Sequence, residues 1–194
     1  WRPITLKANF TGDRVSWVGD FRDQEQGRAT LTGTASVSKE WQAALQIQGE
    51  QLGAGLRPMA RFRFSPDLTI NASAKAVKVR GQIQVPFARV KLEDFKAAAA
   101  KPSADAVIVM NRQGQDPRLK TSPLEALAVD AYVTILMGDD VRVSGRGLDT
   151  SLQGRLAVTQ SPGSFVAANG ELRFGSDAFF EAYGQRLTIR TGQI

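Results

Sequence analysis

Apolar and polar residues alternate with a period of two along most of the chain. The alternation is clearest over residues 29–37, 45–48, 62–74 and 77–85, where every second residue is apolar or glycine and its neighbours are mostly polar. Successive side chains of a β-strand point to opposite faces of the sheet, so this pattern predicts strands with one apolar and one polar face. Segments of the same kind follow towards the C-terminus: 133–137, 141–143, 152–158, 166–174 and 187–189.

Turn residues separate these strands. Gly138-Asp139-Asp140 between two apolar runs predicts a hairpin, and Ser65-Pro66-Asp67 and Ser161-Pro162-Gly163 predict turns. Pro86 predicts a break in the strand pattern. The apolar positions switch from even to odd numbers at Lys75-Ala76-Val77, which indicates a β-bulge or a tight bend.

Helical signals are few. Lys39–Ile47 and Leu92–Ala100 could each form a short helix, and Ser122-Pro123-Leu124-Glu125 has the composition of a helix N-terminus. Ser176–Tyr183 fits either a helix or a strand. Residues 97–106, rich in Ala with Lys, Pro and Ser, form the best candidate for a flexible loop.

Strands with one apolar face, and no long amphipathic helices to cover it, must bury that face against each other. We therefore predict an all-β fold: an elongated, rolled or folded-over, largely antiparallel sheet with an apolar interior and few short helices. Because strand patterning resumes after the loop, residues 1–194 are interpreted as a single β-rich domain. The chain begins without Met and stops within a strand pattern, so we expect it to be part of a longer protein.

The same alternation selects the side chains that would line the apolar interior. Whether this interior is a dry core or an accessible groove is left open by the sequence. The candidates are Val79, Ile83, Val85, Val90, Leu92, Val133, Ile135, Val141, Val143, Leu152, Leu156, Val158, Leu172, Phe174, Leu187 and Ile189.

The composition argues against catalysis. The chain contains no Cys and no His, which excludes thiolate chemistry, Ser-His-Asp triads and the commonest transition-metal ligand. Asp139 and Asp140 are adjacent in a predicted turn, where turn formation explains them best. Asp20, Asp23 and Glu25 lack the spacing of a calcium loop. We predict a protein that is not an enzyme and that has no metal site and no cofactor.

Two other features fit structural roles better than binding roles. Gly145-Arg146-Gly147 is an isolated G-x-G without the strand-to-helix context of a phosphate loop. Trp1, Trp17 and Trp41 are not embedded in a nucleic-acid-binding motif, so packing explains them best and no nucleic-acid partner is expected. A carbohydrate-binding sandwich is also disfavoured, because the chain lacks a clustered aromatic platform.

Positive charge is concentrated in one segment. The net charge is +6, and residues 57–101 hold ten Lys and Arg against three Asp and Glu. Such a segment can bind anionic lipid headgroups or an acidic partner, but its cations alternate with apolar residues and are explained most simply as the solvated face of strands. The candidates for a basic edge beside the apolar interior are Arg61, Arg63, Lys78, Arg80, Arg89 and Lys91.

The sequence shows no membrane-crossing segment of its own. No uninterrupted apolar run approaches the roughly 20 residues that span a bilayer. No basic-plus-apolar signal stands at the N-terminus either.

Three blocks of sequence resemble one known family. They are RGQIQVPFARVKLEDF (Arg80–Phe95), DAYVTILMGDDVRVSGRGLDTSLQGRLAVTQ (Asp130–Gln160) and NGELRFGSDAFFEAYGQRLTIRTGQI (Asn169–Ile194). The last contains the run A-Y-G-Q-x-L-x-I-x-x-G from Ala182 to Gly192. In this order the blocks are similar to the TamB family, the inner-membrane subunits of the translocation and assembly module, which belong with the AsmA-like bridge proteins.

The resemblance implies a periplasmic protein, anchored to the inner membrane through a helix outside this chain. It implies a β-rich rod with an apolar groove that crosses the periplasm, and an outer-membrane partner of the BamA type. Our leading hypothesis is that the groove shields phospholipid acyl chains between the two membranes and contributes to outer-membrane protein assembly. The alternative is an assembly adaptor that pairs its strands with the partner, or with unfolded outer-membrane protein clients, and conducts no lipid.

Overall fold

The computed structural model describes residues 5–23, 26–38, 40–56, 58–92 and 128–188. Most residues in these ranges lie in β-strands, as the alternation predicts. The strands are β1 (Thr5–Thr11), β2 (Arg14–Arg22), β3 (Arg28–Ser36), β4 (Gln42–Glu50), β5 (Leu52–Leu56), β6 (Ala60–Ser73), β7 (Ala76–Lys91), β8 (Ala128–Gly145), β9 (Leu148–Gln160), β10 (Ala167–Phe174), β11 (Phe179–Ala182) and β12 (Gln185–Thr188).

All twelve described strands belong to one open, curled sheet. The hydrogen-bonded order is β1-β2-β3-β4-β6-β7-β8-β9-β11-β12, while β5 pairs with β6 and β10 pairs with β9. Every pairing is antiparallel except that of β7 with β8, which is parallel. The prediction of an all-β, largely antiparallel, curled sheet is confirmed.

Two predicted turns are wrong, because the strands continue through them. β6 runs without interruption through Ser65-Pro66-Asp67, and its register with β7 shifts between Arg63 and Ser65. β8 likewise runs through Gly138-Asp139-Asp140, and its register with β9 shifts between Met137 and Arg142. A β-bulge admits extra or proline residues into a ladder, so turn-forming residues are accommodated without a turn.

Pro86 causes a bulge where the sequence predicted a break. β7 continues from Val85 to Phe87 with a register shift against β8. Gly138 of β8 lies beside this bulge, because a Cβ on Gly138 would lie 3.0 Å from the Cα of Pro86. The glycine that suggested a hairpin therefore accommodates the neighbouring backbone, and Pro occurs in sheets mainly at such irregularities.

The remaining turns fall at other glycines and small residues. The tight bend at Lys75 is confirmed between β6 and β7, and the turn at Ser161-Pro162-Gly163 is confirmed between β9 and β10. The hairpin that the sequence predicted at Gly138 lies further along the chain: β8 is joined to β9 through Gly145-Arg146-Gly147, whose three φ angles are 123°, 51° and 86°. Positive φ is the reason for glycine on both sides of Arg146.

The predicted helices are replaced by strands where the structure describes them. Lys39–Ile47 is wrong as a helix, because Gln42–Glu50 forms β4 and is paired on both sides, by β3 and β6. Ser176–Tyr183 contains β11 and no helix. Apart from Leu92, the predicted helices at 92–100 and 122–125 and the predicted loop at 97–106 lie outside the described residues.

Candidate functional site: the apolar face

One face of the sheet is apolar across nine strands. Cross-strand neighbours in register lie on the same face, so a row of side chains can be followed from β1 to β10. Every position of that row is apolar or glycine: Leu6, Gly19, Leu31, Ile47, Leu68, Gly81, Val133, Val158 and Ala168. The adjacent row on the opposite face is mostly polar: Lys7, Val18, Thr32, Gln46, Thr69, Arg80, Tyr132, Thr159 and Ala167.

Most of the predicted groove residues share this apolar face. The register places Val79, Ile83, Val85, Val90, Val133, Ile135, Val141, Val143, Leu152, Leu156, Val158, Leu172 and Phe174 there, in β7 to β10. Leu92 follows the end of β7, Leu187 lies in β12 with 57% of its surface exposed, and Ile189 lies outside the described residues. Their role as a lipid-binding lining stays a prediction.

The apolar face is sheltered without being sealed. Ile83, Ile135 and Leu156 are half-buried, and in β4 the apolar-face residues are half-buried while each polar-face residue is exposed. In the described ranges, the apolar residues that are buried are mostly small: Ala29, Leu52, Ala60, Ala88, Val141 and Ala178. A closed core of this size would bury many large side chains, so this face remains partly accessible to solvent.

The sheet is closed more tightly beyond the Pro86 bulge. Ala60, Val90, Val143 and Thr150 are neighbours in one row across β6 to β9. Ala60 is 1% exposed and the Thr150 side chain is fully buried, donating a hydrogen bond to the carbonyl oxygen of Ser151 over 2.9 Å. The two regions of the apolar face therefore differ: one is packed, and the other is open.

The predicted basic residues lie on the polar face of the central strands β6 and β7. They do not form a free edge, because both strands are paired on each side. Arg80 donates to the carboxylate of Asp130 over 2.6 Å, and Arg89 forms an ion pair with Asp140. The Arg89 guanidinium also lies 4.5 Å from the centre of the Phe87 ring. Carboxylates thus compensate part of the charge of this segment.

An ion-pair network that the sequence did not predict fixes the turn before β11. Arg142 of β8 donates to Asp149 over 2.6 Å and to Asp177 over 2.9 Å. The Ser151 hydroxyl donates to the other oxygen of Asp177 over 2.8 Å. The Ser151 bond, a backbone hydrogen bond and Arg142 together lower the pKa of Asp177 below its ordinary value, against a weaker effect of desolvation. Ala178, the next residue, is fully buried.

The other candidate sites have structural roles. Asp23 accepts hydrogen bonds from the backbone N–H groups of Gly27 and Gly53, over 2.6 and 2.5 Å, and so joins the loop between β2 and β3 to strand β5. Asp139 accepts a hydrogen bond from Gln153 over 3.0 Å. Among the described residues, no group of three Asp or Glu side chains is placed to hold a metal ion.

The two tryptophans in the described ranges, Trp17 and Trp41, do not form a stacking platform. Trp17 packs on the apolar face against Gly33, and Trp41 is 41% exposed beside β4. Trp1 lies outside the described residues.

Comparison with known proteins gives the family of the chain. The family model of the TamB C-terminal domain matches residues 19–194. The chain belongs to the TamB family. It is 28% identical, over 205 aligned positions, to the translocation and assembly module subunit TamB of Haemophilus influenzae.

The alignment with that TamB relative covers 98% of this chain and 16% of the relative, so the chain spans about one sixth of its length. No solved structure matches the chain. No helix in the described ranges is long and apolar enough to cross a membrane.

Proposed function

We propose that the apolar face of this TamB-family chain shelters phospholipid acyl chains on their way from the inner to the outer membrane. The observation that supports this proposal is the continuity of the apolar face from β1 to β10, together with its incomplete burial. Soluble monomers rarely leave apolar surfaces of such extent accessible unless the surface binds something.

The energetics of acyl chains favour such a surface. Each methylene group in water costs about 0.8 kcal/mol, so an unshielded acyl chain costs roughly 10 kcal/mol or more. Aliphatic side chains such as Ile83, Ile135 and Leu156 can cover a chain without directional contacts. A surface of this kind lowers the cost of transfer and holds no lipid tightly, which suits transport better than storage.

In this proposal the chain works in the periplasm, as part of a protein anchored in the inner membrane by a helix outside this chain. The name of the H. influenzae relative includes translocation and assembly, which supports a contribution to outer-membrane protein assembly with a BamA-like partner. Headgroups remain in water beside the sheet.

A test is photo-crosslinking from the apolar face in the full-length protein in intact cells. We expect lipid adducts from a photoreactive residue at Ile135 and at Leu172. The matched control is Tyr132, which lies in the same strand as Ile135, faces the polar side and is 50% exposed. Adducts from Tyr132 alone, or equal adducts from all three positions, would contradict acyl-chain shelter by this face.

The alternative function is strand pairing with a partner protein. All seven residues of β1 are exposed, and within the described residues β1 is paired on one side only, by β2. An exposed edge is a template for an added strand. Successive N–H groups of a strand point to opposite edges, so either Ala8 or Asn9 directs its N–H away from β2, towards an added strand. This adaptor function therefore predicts that one of the variants Ala8→Pro and Asn9→Pro, the one that removes this N–H group, abolishes partner binding.

A further inference from the structure

The polar face carries two hollows of different electrostatic character. The first, the Arg14 hollow, has a volume of about 660 Å³, and the second, the Arg28 hollow, about 990 Å³. Both are lined mainly by polar-face side chains of β1, β2, β3, β4 and β6, towards opposite ends of these strands, and β7 contributes only to the Arg14 hollow. Pockets of about 300–1,000 Å³ are typical of sites for small ligands.

Two rows of mostly polar side chains line the Arg14 hollow, and Val15 and several alanines complete the lining. One row crosses β1 to β6 and the other crosses β1 to β7, and both follow the register of the sheet. The rows are Thr11, Arg14, Ser36, Gln42 and Ser73, and Asn9, Ser16, Thr34, Ala44, Asn71 and Lys78. The sheet thereby presents hydroxyl and amide groups in an ordered array about 4.8 Å apart, the spacing of its strands.

The charge of the Arg14 hollow is uncompensated. Its lining contains Arg14 and Lys78 and no carboxylate. Within the described residues, the structure shows no ion pair for either cation. Asp130 is the register neighbour of Lys78, but its carboxylate is bound by Arg80. Asp13 and Glu40 lie in nearby turns, outside the lining.

The Arg28 hollow provides the contrast. Its lining contains two arginines with three carboxylates, and Arg28 is bound to Glu50 over 2.7 Å. The Asp20 carboxylate lies 3.4 Å from the Thr30 hydroxyl, which donates to it. The lining of this hollow therefore holds more carboxylates than arginines, whereas the lining of the Arg14 hollow holds two cations and no carboxylate.

We infer that the Arg14 hollow binds an anionic oligosaccharide across the polar face. Arg14 and Lys78 are four strands apart, roughly 20 Å along the sheet at about 4.8 Å per strand, so they flank the array and take acidic groups near the two ends of a run of sugar rings. Thr34, Asn71 and Ser16 between them bind the ring hydroxyls. The hollow contains no aromatic residue, so charge and hydrogen bonds replace the stacking by which many proteins bind neutral sugars.

The test is an NMR titration of the 194-residue chain with trigalacturonic acid, an oligosaccharide with three carboxylates. Maltotriose supplies the rings without charge, and citrate supplies three carboxylates without rings. We expect trigalacturonic acid to shift the amide signals of Thr34 and Asn71, and to bind at least about tenfold more tightly than either control compound.

Variants separate a built site from general charge attraction. The double variant R14Q/K78Q is expected to weaken binding about tenfold or more, and Thr34→Val to weaken it severalfold with no change in charge. The matched control R22Q/R28Q removes two positive charges from the Arg28 hollow and is expected to change the dissociation constant less than about twofold. Thermal unfolding of each variant checks that the sheet is intact.

Four outcomes would overturn the inference. The first is the absence of shifts in the Arg14 hollow, and the second is binding of citrate as tight as that of trigalacturonic acid, which would indicate a simple anion site. The third is equal weakening by R22Q/R28Q, and the fourth is unchanged binding by a folded R14Q/K78Q variant.

Discussion

The indole ring of Trp17 in β2 lies directly over Gly33 in β3. A Cβ on Gly33 would lie 2.4 Å from Cζ2 and 2.8 Å from Nε1 of Trp17, far inside van der Waals contact. The two residues are register neighbours on the apolar face. A glycine in a strand interior is ordinarily unfavourable, and here the aromatic ring covers the space that the missing side chain leaves.

Gly33→Ala is expected to destabilise the sheet by about 1–3 kcal/mol, the usual cost of overpacking, because the added methyl group must displace the indole. The matched control is Gly19→Ala on the same face. Its Cβ would meet Cδ1 of Leu6 at 3.2 Å, and Leu6 is flexible and 64% exposed on β1. Urea unfolding, followed by circular dichroism, measures both. Equal unfolding free energies of the two variants would show that the packing of the Trp17 indole does not require a glycine at position 33.

Period-two alternation was enough to predict the two faces of the sheet. Ile83 and Ile135 were assigned to one face from their own strands, and the register brings them side by side. The alternation can be read within each strand, and every residue of the strand repeats it. A shift of one residue in the register would move every apolar side chain of a strand to the solvent face. The partly open state of that face is a tertiary property and leaves no local trace.

The turns were harder to predict, since the same residues serve turns and bulges. Gly138 resembles a hairpin glycine in sequence, yet its function is to admit Pro86 of a strand that lies more than fifty positions earlier. The parallel pairing of β7 with β8 was not predictable for the same reason: it depends on contacts between segments that are far apart in the chain. The Arg142–Asp177 ion pair spans 35 positions, and no spacing rule identifies such partners.

Asp177 is expected to make the stability of the chain dependent on pH in the acidic range. Its folded-state pKa lies below the ordinary 3.8, first because of the Ser151 hydroxyl. The unfolded state therefore binds more protons in this range, and stability falls as the pH falls. The stabilisation is complete above the unfolded pKa and is lost as the pH decreases through the lowered pKa. The Asp177→Asn variant lacks this contribution.

The measurement is the urea midpoint of the wild type and of Asp177→Asn at a series of pH values from neutral to strongly acidic. Other carboxylates titrate in both proteins, so the difference between the two curves isolates Asp177. We expect the difference to be constant near neutral pH and to shrink on acidification. A difference that stays constant to the lowest pH would show that Asp177 gains nothing from Ser151 and Arg142.

Thr150 offers a test of packing at the closed end of the sheet. Its side chain is fully buried, and the carbonyl oxygen of Ser151 that it contacts also accepts the N–H of Gly175 over 2.9 Å. Thr150→Val keeps the shape and leaves that oxygen bonded, so we expect a change within about 1 kcal/mol. Thr150→Ala opens a cavity and is expected to cost about 1–3 kcal/mol. An equal loss for Val and for Ala in chemical denaturation would make the hydroxyl, and not the volume of the side chain, decisive.

Arginine substitutions at Ile135 and Val141 are expected to separate the open region of the apolar face from its packed region. Both residues lie in β8, but Ile135 is half-buried and Val141 is 4% exposed. An arginine at 135 can extend its guanidinium into water along the apolar surface, so we expect Ile135→Arg to cost about 1–2 kcal/mol of unfolding free energy. Val141→Arg buries a charge without a partner and is expected to cost more than about 4 kcal/mol or to prevent folding.

In cells, Ile135→Arg in the full-length protein should then remain folded while lipid crosslinking at Leu172 decreases, because the charge interrupts the apolar face between its strands. Normal crosslinking at Leu172 in folded Ile135→Arg would contradict passage of acyl chains along this face.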